Sequence, residues 1–332
     1  MAAEPLETLT VMHLVTTATT APSMHNAQPW RFRYHRASHV FDVRAAPDRA
    51  MPRTDPDRRA LHLGCGAALF NLRVALAHAG RRPDVTLLPD GTDDDLLAVV
   101  RAERTADPDT GLAALFPAIA QRHTSRHPFE EREVPDDVRT ALREAAATEG
   151  AQLLFPEAWH TDTLLDLVQD AEGRDTLDPE RFDDVRRWTR PDTDPAGPGT
   201  APDGVPAYAF GPRRHAGRAP VRDFAGRRPS TGRADADFES TPHLALLGTA
   251  DDRPQDWLRA GQAMERVLLL ATGRGLATSL TSHALEWPDL RKLVRDPQSA
   301  MAHVHMILRL GFGPPGPTTP RRPVHDVLDI VE

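Results

Sequence analysis

Proline is concentrated between residues 190 and 232, which hold eight of the 31 prolines in the chain. Because proline fixes φ and lacks a backbone N–H, this stretch is neither a helix nor a central strand. It is much longer than an ordinary connection between elements, so it is either a disordered linker or a functional lid. Aromatic residues within or beside it favour a lid that packs on the rest of the protein. These residues are Trp188, Tyr208, Phe210 and Phe224.

Regular hydrophobic patterns surround this stretch. Helical spacing of apolar residues predicts helices over 6–20, 61–79, 112–121, 136–147, 161–171 and 257–272. Alternating or continuous apolar runs predict strands over 30–34, 40–43, 85–88, 96–101, 152–155, 243–247 and 304–310. A length of 332 residues fits one large domain or two smaller ones. The pattern Arg-Val-x-Leu-x-x-x-Gly occurs at 73–80 and again at 266–273, which is compatible with a duplicated architecture.

Composition excludes several classes of function. The net charge is −8 and arginines are interspersed with carboxylates, so we expect no binding to nucleic acid. Lys292 is the only lysine and stands outside any phosphate-loop motif. Cys65 is the only cysteine, which excludes disulfides within the chain and cysteine-based zinc sites. No apolar run approaches the ~18 residues of a membrane span, and the sequence starts without a signal-peptide pattern, so we expect a cytoplasmic protein that binds no membrane.

The most informative segment is Ala-Pro-Ser-Met-His-Asn-Ala-Gln-Pro-Trp at residues 21–30. Proline at both ends indicates a fixed loop, and the loop presents a hydroxyl, an imidazole and two carboxamides. Carboxamides both donate and accept hydrogen bonds, which suits the edge of a heteroaromatic ring such as a flavin. Asn26 is one of only two asparagines in the chain. The structural alternative is an Asx turn that caps the following strand.

This loop resembles the segment that borders the flavin in the FMN-dependent nitroreductase family. Arg-His-Thr-Ser-Arg at 122–126 resembles the phosphate-binding segment of that family. Gly-Leu-Ala-Thr-Ser-Leu at 275–280 resembles its Gly-Leu-Gly stretch. The tail, from Leu-Gly-Phe at 310–312 to Arg-Arg-Pro at 321–323, resembles its closing strand and phosphate-contacting arginine. The resemblance implies an α+β fold with α/β/α layers and FMN as the cofactor.

The order of these motifs departs from the ordinary family, in which the arginine segment precedes the loop. The order found here resembles the Acg-type subgroup, in which two nitroreductase-like halves are fused in one chain as a pseudo-dimer, with a lid over the flavin. The resemblance implies a degenerate first half, 1–115, that supplies the loop at 21–30. It implies a second half, 116–332, that binds the FMN phosphate and carries the lid at about 190–232. One FMN per chain and a monomer or loose homodimer follow as expectations.

The resemblance also implies roles for particular residues. Arg122 and either Arg321 or Arg322 would bind the phosphate, and Arg126 would lie near the pyrimidine edge of the ring. Ser23, Asn26 and Gln28 would hold the ring edge. Thr281, Ser282 and His283 fall where the family places groups near flavin N5 and O4. The complete set of implied cofactor-binding residues is Pro22, Ser23, Met24, His25, Asn26, Gln28, Arg122, His123, Thr124, Arg126, Thr281, Ser282, His283, Arg321 and Arg322.

The implied activity is hydride transfer from NAD(P)H to flavin N5 and then to a small organic acceptor. Such a scheme needs no dinucleotide-binding domain, and Gly-Phe-Gly-Pro-Pro-Gly at 311–316 cannot form one because its prolines prevent the required helix. Two alternatives remain open. The first is an FMN storage or sensing protein whose lid excludes substrates. The second is a flavin-free interaction protein. We expect no catalytic side chain, because the flavin itself would be the reactive centre. We also expect no metal site, because no carboxylate completes the spacing of His123 and His127.

Overall fold

The computed structural model describes residues 6–89, 91–190, 201–225 and 233–332. Of the expected lid, the stretch 201–225 is therefore described. Pro191, Pro195, Pro198 and Pro229 lie outside the described residues.

The described residues form both α-helices and β-strands. The helices are α1 (Thr8–Ala18), α2 (Arg59–His78), α3 (Thr110–Ala113), α4 (Phe116–Ile119), α5 (Asp136–Thr148), α6 (Ala158–Leu177), α7 (Pro179–Arg187), α8 (Pro254–Gly273) and α9 (Pro288–Leu293). The strands are β1 (Trp30–His35), β2 (Val40–Ala45), β3 (Arg81–Leu87), β4 (Leu96–Arg104), β5 (Gln152–Leu154), β6 (Thr189–Arg190), β7 (Val205–Pro206), β8 (Arg213–Ala216), β9 (Asp235–Asp237), β10 (Leu244–Thr249), β11 (Ala277–Thr281), β12 (His303–Gly311) and β13 (Leu328–Val331). The fold class is α+β, as the sequence predicts.

The first sheet has the order β13-β1-β2-β4-β3. Strands β1 and β2 form the predicted hairpin, and Trp30, Phe32 and Tyr34 of β1 all point to the buried face, as their spacing of two residues requires. The C-terminal strand β13 joins this sheet in parallel with β1, with Phe32 opposite Leu328. The end of the chain is therefore anchored on its first half.

The second sheet has the order β5-β10-β12-β11. Its strands pair in the same way as β1-β2-β4-β3. When the four strands of each set are numbered by their order along the chain, they lie side by side as first, second, fourth and third, and all neighbours are antiparallel. In both sets one helix precedes the first strand and a long helix separates the second strand from the third. The repeated Arg-Val-x-Leu-x-x-x-Gly pattern lies at the ends of these two long helices, α2 and α8.

Helices α2 and α8 cross where each carries a glycine. A Cβ on Gly66 would lie 2.4 Å from the carbonyl oxygen of Leu258, and one on Gly261 would lie 2.3 Å from that of Leu63. The close crossing therefore requires glycine at both positions. Helix α2 is buried almost all round, which makes it a core helix. By length and composition it could cross a membrane, but 89% of its apolar window is buried inside the protein.

Three differences from the predicted elements have identifiable causes. The helix predicted over 112–121 is two short helices, because Pro117 starts a new helix in the first turn of α4 rather than continuing α3. Helix α1 ends at Ala18, and the hydroxyl groups of Thr19 and Thr20 donate to carbonyl oxygens of its last turn. The strand predicted over 85–88 begins earlier, at Arg81, and ends before Leu88, which has a positive φ.

Candidate cofactor-binding cavity

One cavity brings together most of the residues singled out in the sequence. Its walls come from the loop at 22–26, the start of α2, residues 122–126, the end of β11, the described part of the lid and the tail at 319–321. Residues that line it include Pro22, Ser23, Met24, His25, Asn26, Leu63, Gly64, Arg122, His123, Thr124, Arg126, Val205, Val221, Arg222, Phe224, Met264, Ser279, Ser282, His283, Thr319 and Arg321.

The loop at 21–30 is held in a strained conformation. His25, Asn26 and Gln28 have φ values of 49°, 56° and 53°, a left-handed region that side chains other than glycine rarely adopt. The backbone N–H of Gln28 donates to Ser23 Oγ at 2.9 Å and closes the loop on itself. Helix α2 approaches the loop at Gly64, where a Cβ would lie 3.2 Å from that of Ser23. Strain that is fixed by such contacts is typical of functional sites.

The two carboxamides of the loop bind other parts of the protein. Asn26 Nδ2 donates to the carbonyl oxygen of Gly204 at 2.9 Å and to that of Pro320 at 3.0 Å. Gln28 Nε2 donates to the carbonyl oxygen of Pro202 at 2.9 Å, and its Oε1 accepts from the backbone N–H of Arg322 at 2.8 Å. These side chains therefore connect the loop to the lid and to the tail. Asn26 still lines the cavity, whereas Gln28 does not.

Two arginines meet at the C-terminal end of α1. Nη2 of Arg122 and Nη2 of Arg321 both donate to the carbonyl oxygen of Thr20, at 3.1 and 2.8 Å. Arg321 also donates through Nε to the carbonyl oxygen of Thr19 at 2.7 Å. Carbonyl groups at a helix C-terminus carry partial negative charge, so they attract guanidinium groups without neutralising them. Glu265 of α8 approaches Arg122, with Oε1 3.4 Å from Nε.

Arg126 adds a third buried guanidinium to the cavity. It donates to the carbonyl oxygen of Ala209 at 3.0 Å and lies 5.0 Å from the ring centroid of Phe224. Burial, together with Arg222, lowers the pKa of Arg126 to about 10. Burial, together with Arg122, lowers the pKa of Arg321 to about 9.

Positive charge at this end of the cavity exceeds negative charge. The ion pairs of the described residues include Arg122 with Glu265, but none for Arg126 or Arg321. A buried charge without a counter-charge is costly, and a ligand of opposite charge removes that cost. The cavity is therefore suited to an anion.

Two buried histidines, His25 and His283, also line the cavity. The ring of His25 lies against Phe224, at 5.4 Å between centroids. Nε2 of His25 and both ring nitrogens of His283 lack a hydrogen-bond partner among the described residues. Burial and the charge of Arg222 lower the pKa of both imidazoles well below the usual value, so both are neutral near pH 7. Unpartnered buried nitrogens of this kind suit a ligand with its own donors and acceptors.

The remaining predicted residues divide into two groups. His123 and Thr124 line the cavity, and Thr124 also forms a bridge to Thr278 of β11. Ser282 lines it too, with its hydroxyl donating to Glu286. Gln28, Thr281 and Arg322 are not among the lining residues. Thr281 donates to the carbonyl oxygen of Pro220, and Nη2 of Arg322 donates to that of Asp326.

Four wall residues, Arg222, Phe224, Met264 and Glu265, were not among the residues singled out as cofactor-binding. The first three line the cavity, and Glu265 lies behind Arg122. Arg222 and Phe224 belong to the proline-rich stretch, where no periodicity indicates an inward-facing side. The sequence could have singled out Glu265, because it is a carboxylate on an otherwise apolar face of a long predicted helix. Among the described residues, no cluster of His, Cys, Asp or Glu side chains is arranged as a metal site.

Comparisons with known proteins identify similar chains. The model of a family described as "Nitroreductase family" matches residues 119–311. "Putative NAD(P)H nitroreductase Rv3131" from Mycobacterium tuberculosis is 33% identical over 328 residues, which is 97% of this chain and 92% of that protein. "Putative NAD(P)H nitroreductase acg" from the same organism is 29% identical over 323 residues, or 93% of this chain and 92% of that protein. A crystal structure of a nitroreductase with bound FMN from Bacteroides fragilis is also similar. The alignment covers 60% of this chain and 88% of the Bacteroides chain, with a TM-score of 0.34 and 14% identity.

Proposed function

The chain belongs to the nitroreductase family, and on that premise we propose that it is an oxidoreductase that binds FMN in the cavity described above. The observation that carries the proposal is the excess of buried guanidinium groups over carboxylates at one end of that cavity. A phosphate monoester has between about 1.5 and 2 negative charges near pH 7 and three acceptor oxygens. It therefore supplies the counter-charge that the cavity lacks.

The lining residues fit the rest of the cofactor. Arg122 and Arg321 would hold the phosphate by charge-assisted hydrogen bonds. Arg126 would lie at the pyrimidine edge of the ring, where a positive charge favours uptake of electrons. The unpartnered nitrogens of His25 and His283 match a ring system that carries its own donors and acceptors. Gln28, Thr281 and Arg322 would act indirectly, because they fix the loop, the lid and the tail around the cavity.

FMN would supply the redox chemistry, by taking a hydride from NAD(P)H and passing it to a small organic acceptor. The protein has separate tasks. Phe224 and Val221 of the lid and the loop at 22–26 line the cavity, where they would shield the bound cofactor from water. The neutral imidazoles of His25 and His283 are suited to hydrogen bonding with a bound molecule and not to pairing with its charge.

We also propose that residues 1–115 and 116–332 are two fused halves that share this single site. The repeated order of strands in the two sheets supports a duplication. Between α1 and β1 the chain has room for the whole loop at 21–30, whereas only Glu149, Gly150 and Ala151 separate α5 from β5. The second half therefore has no equivalent loop, which accounts for one site per chain.

Anaerobic titration of the purified protein with NADPH tests the activity. We expect a yellow protein whose flavin absorbance near ~450 nm disappears on reduction, a general property of flavins. A protein that stays colourless after FMN is added would contradict the proposal at its first step.

A second candidate function is storage or sensing of FMN under a closed lid. The described lid residues favour it, because Arg126 is held by the carbonyl oxygen of Ala209 and Asn26 by that of Gly204. Both contacts connect the lid directly to the cavity. A yellow protein whose flavin NADPH does not reduce would favour this function over the reductase.

A further inference from the structure

Glu265 is the carboxylate nearest to the buried arginines of the cavity. Its side chain is fully buried on α8, and neither carboxylate oxygen accepts a hydrogen bond from a described residue. The one close cation is Arg122, whose Nε lies 3.4 Å from Oε1. Burial raises the pKa of Glu265, whereas the charge of Arg122, the neighbouring side chain of Asn71 and the charge of Arg321 act in the opposite direction. Arg122 is therefore the cation that Glu265 faces most closely, and Asn71 is its polar neighbour.

The two arginines need such a counter-charge when no anion is bound. Their guanidinium groups share the carbonyl oxygen of Thr20, so two positive charges lie side by side in a buried place. Their mutual repulsion destabilises the folded protein. A single carboxylate behind them offsets part of that repulsion.

A second buried carboxylate shows the same chemistry away from the cavity. Glu149 lies between Arg73 and Arg266, at 2.5 and 2.7 Å, and its side chain is also almost fully buried. None of these three residues lines the cavity. Glu149 therefore offers a matched comparison, a buried acid between two arginines with no ligand in reach.

We infer that Glu265 is a specificity-determining residue, a built-in counter-charge that stabilises Arg122 and Arg321 in the empty protein and competes there with the phosphate group of the cofactor. The inference rests on the proposed function for the identity of the ligand. A phosphate monoester and the carboxylate repel each other, and both are attracted to the same guanidinium groups. The carboxylate thus lowers the affinity for phosphate-bearing ligands and leaves neutral ligands of the same shape unaffected.

The variant Glu265→Gln keeps the size of the side chain and removes its charge. We expect FMN to bind at least about tenfold more tightly to E265Q than to the wild type. Riboflavin, which has the same ring and no phosphate, should bind both proteins equally. We also expect a lower thermal midpoint for the empty variant, with inorganic phosphate restoring it. Fluorescence titration with both flavins and thermal melting with and without phosphate give these quantities.

Glu149→Gln is the control. It should lower the thermal midpoint without rescue by phosphate, and it should leave the ratio of FMN to riboflavin affinity unchanged. An E265Q protein that loses affinity for both flavins alike, or one that phosphate stabilises no more than it stabilises E149Q, would overturn the inference. If E265Q does not fold on its own, it is folded in the presence of inorganic phosphate instead. We then expect phosphate to restore folding, and a variant that stays unfolded would overturn the inference.

The phosphate experiment needs no flavin, so the two proposals fail separately. A wild-type protein that binds neither FMN nor riboflavin contradicts the proposed function. Rescue of the empty E265Q protein by phosphate would still support the role of Glu265 as a counter-charge in an anion site.

Discussion

At the scale of one residue, Arg126 shows how a guanidinium group without a carboxylate partner indicates the kind of ligand that a cavity binds. Arginine is common in this chain, so no single arginine is informative by its position in the sequence. Burial changes that, because a guanidinium without a carboxylate partner destabilises the empty protein. Arg309 is the useful contrast: it is fully buried, but Glu239 binds it through both carboxylate oxygens. Arg309 therefore has a structural partner, whereas Arg126 has no carboxylate partner among the described residues.

The variant Arg126→Met should separate these two roles. We expect the affinity for FMN to fall by about tenfold or more, equivalent to about 1.4 kcal/mol, while the thermal midpoint of the empty protein does not fall. In Arg309→Met the midpoint should fall, because the carboxylate of Glu239 is left buried without its counter-charge. Titration with FMN and thermal melting check both. An R126M protein that melts lower and binds FMN as the wild type does would make Arg126 structural.

His283 should make the stability of the empty protein depend on pH. Burial and Arg222 lower the pKa of its imidazole in the folded protein, so the unfolded chain binds a proton more readily. The free energy of unfolding therefore decreases as pH falls below the usual histidine pKa of about 6.5. We expect a smaller decrease between pH 7 and pH 5 in His283→Gln. Urea unfolding across this range measures it, and equal slopes for the two proteins would contradict the assignment.

The sequence singled out Asn26 of the loop but did not reveal which groups it contacts. Asn26 stood out because asparagine is rare in this chain, and it does line the cavity. Its two hydrogen-bond partners, however, are backbone carbonyls of Gly204 and Pro320, far away along the chain. Contacts of this kind depend on how the lid and the tail pack, which no local pattern records.

At the scale of elements, the described part of the lid is tied to the first half of the chain. Asp203 forms ion pairs with Arg49 and with Arg190, the latter at 2.6 Å. Arg49 in turn donates through Nε to the carbonyl oxygen of Ala27 in the loop. Arg49 and Asp203 therefore connect the lid to the loop, and we call this pair the clamp. Val205, Ala209 and Phe210 of the lid itself are buried, so apolar packing adds to these ionic contacts.

The variant Asp203→Ala should loosen the lid. We expect FMN to dissociate several-fold faster, because the clamp between lid and loop is lost. If the lid limits the access of NADPH, the rate of flavin reduction should increase in the same proportion. Stopped-flow measurements of FMN release and of anaerobic reduction check this. Asp223→Ala is the control, since Asp223 lies in the same stretch, is half exposed and pairs with Arg233. Equal effects of the two changes would argue against a clamp.

Long helices and buried strands could be predicted, and so could the short strand β5, whereas β13 and α7 could not. Helices α2 and α8 carry many apolar residues at helical spacing, and the structure confirms both. Strand β13 has four residues after a proline-rich tail, and its pairing with β1 is what makes it a strand. Helix α7 is mostly charged and has little apolar face to detect. Such elements are specified by tertiary contacts and not by their own pattern.

At the scale of the whole molecule, the repeat of strand order makes one chain resemble a dimer of halves. The crossing of α2 and α8 at Gly66 and Gly261 joins the parts of the chain that carry the two sheets. The tail then returns to the first sheet as β13 and brings Arg321 to the end of α1. The cavity needs all three parts: a loop from the first half, arginines from the second and the tail. If the chain consists of two fused halves as proposed, we expect one FMN site per chain.

Calorimetric titration of the flavin-free protein with FMN, repeated with riboflavin, tests the central claim most directly. The buried guanidinium groups and the single loop predict one FMN per chain of 332 residues, bound at least about a hundredfold more tightly than riboflavin because the phosphate interacts with several of these arginines. Equal affinity for the two flavins, a stoichiometry of one FMN per two chains, or no binding at all would contradict it.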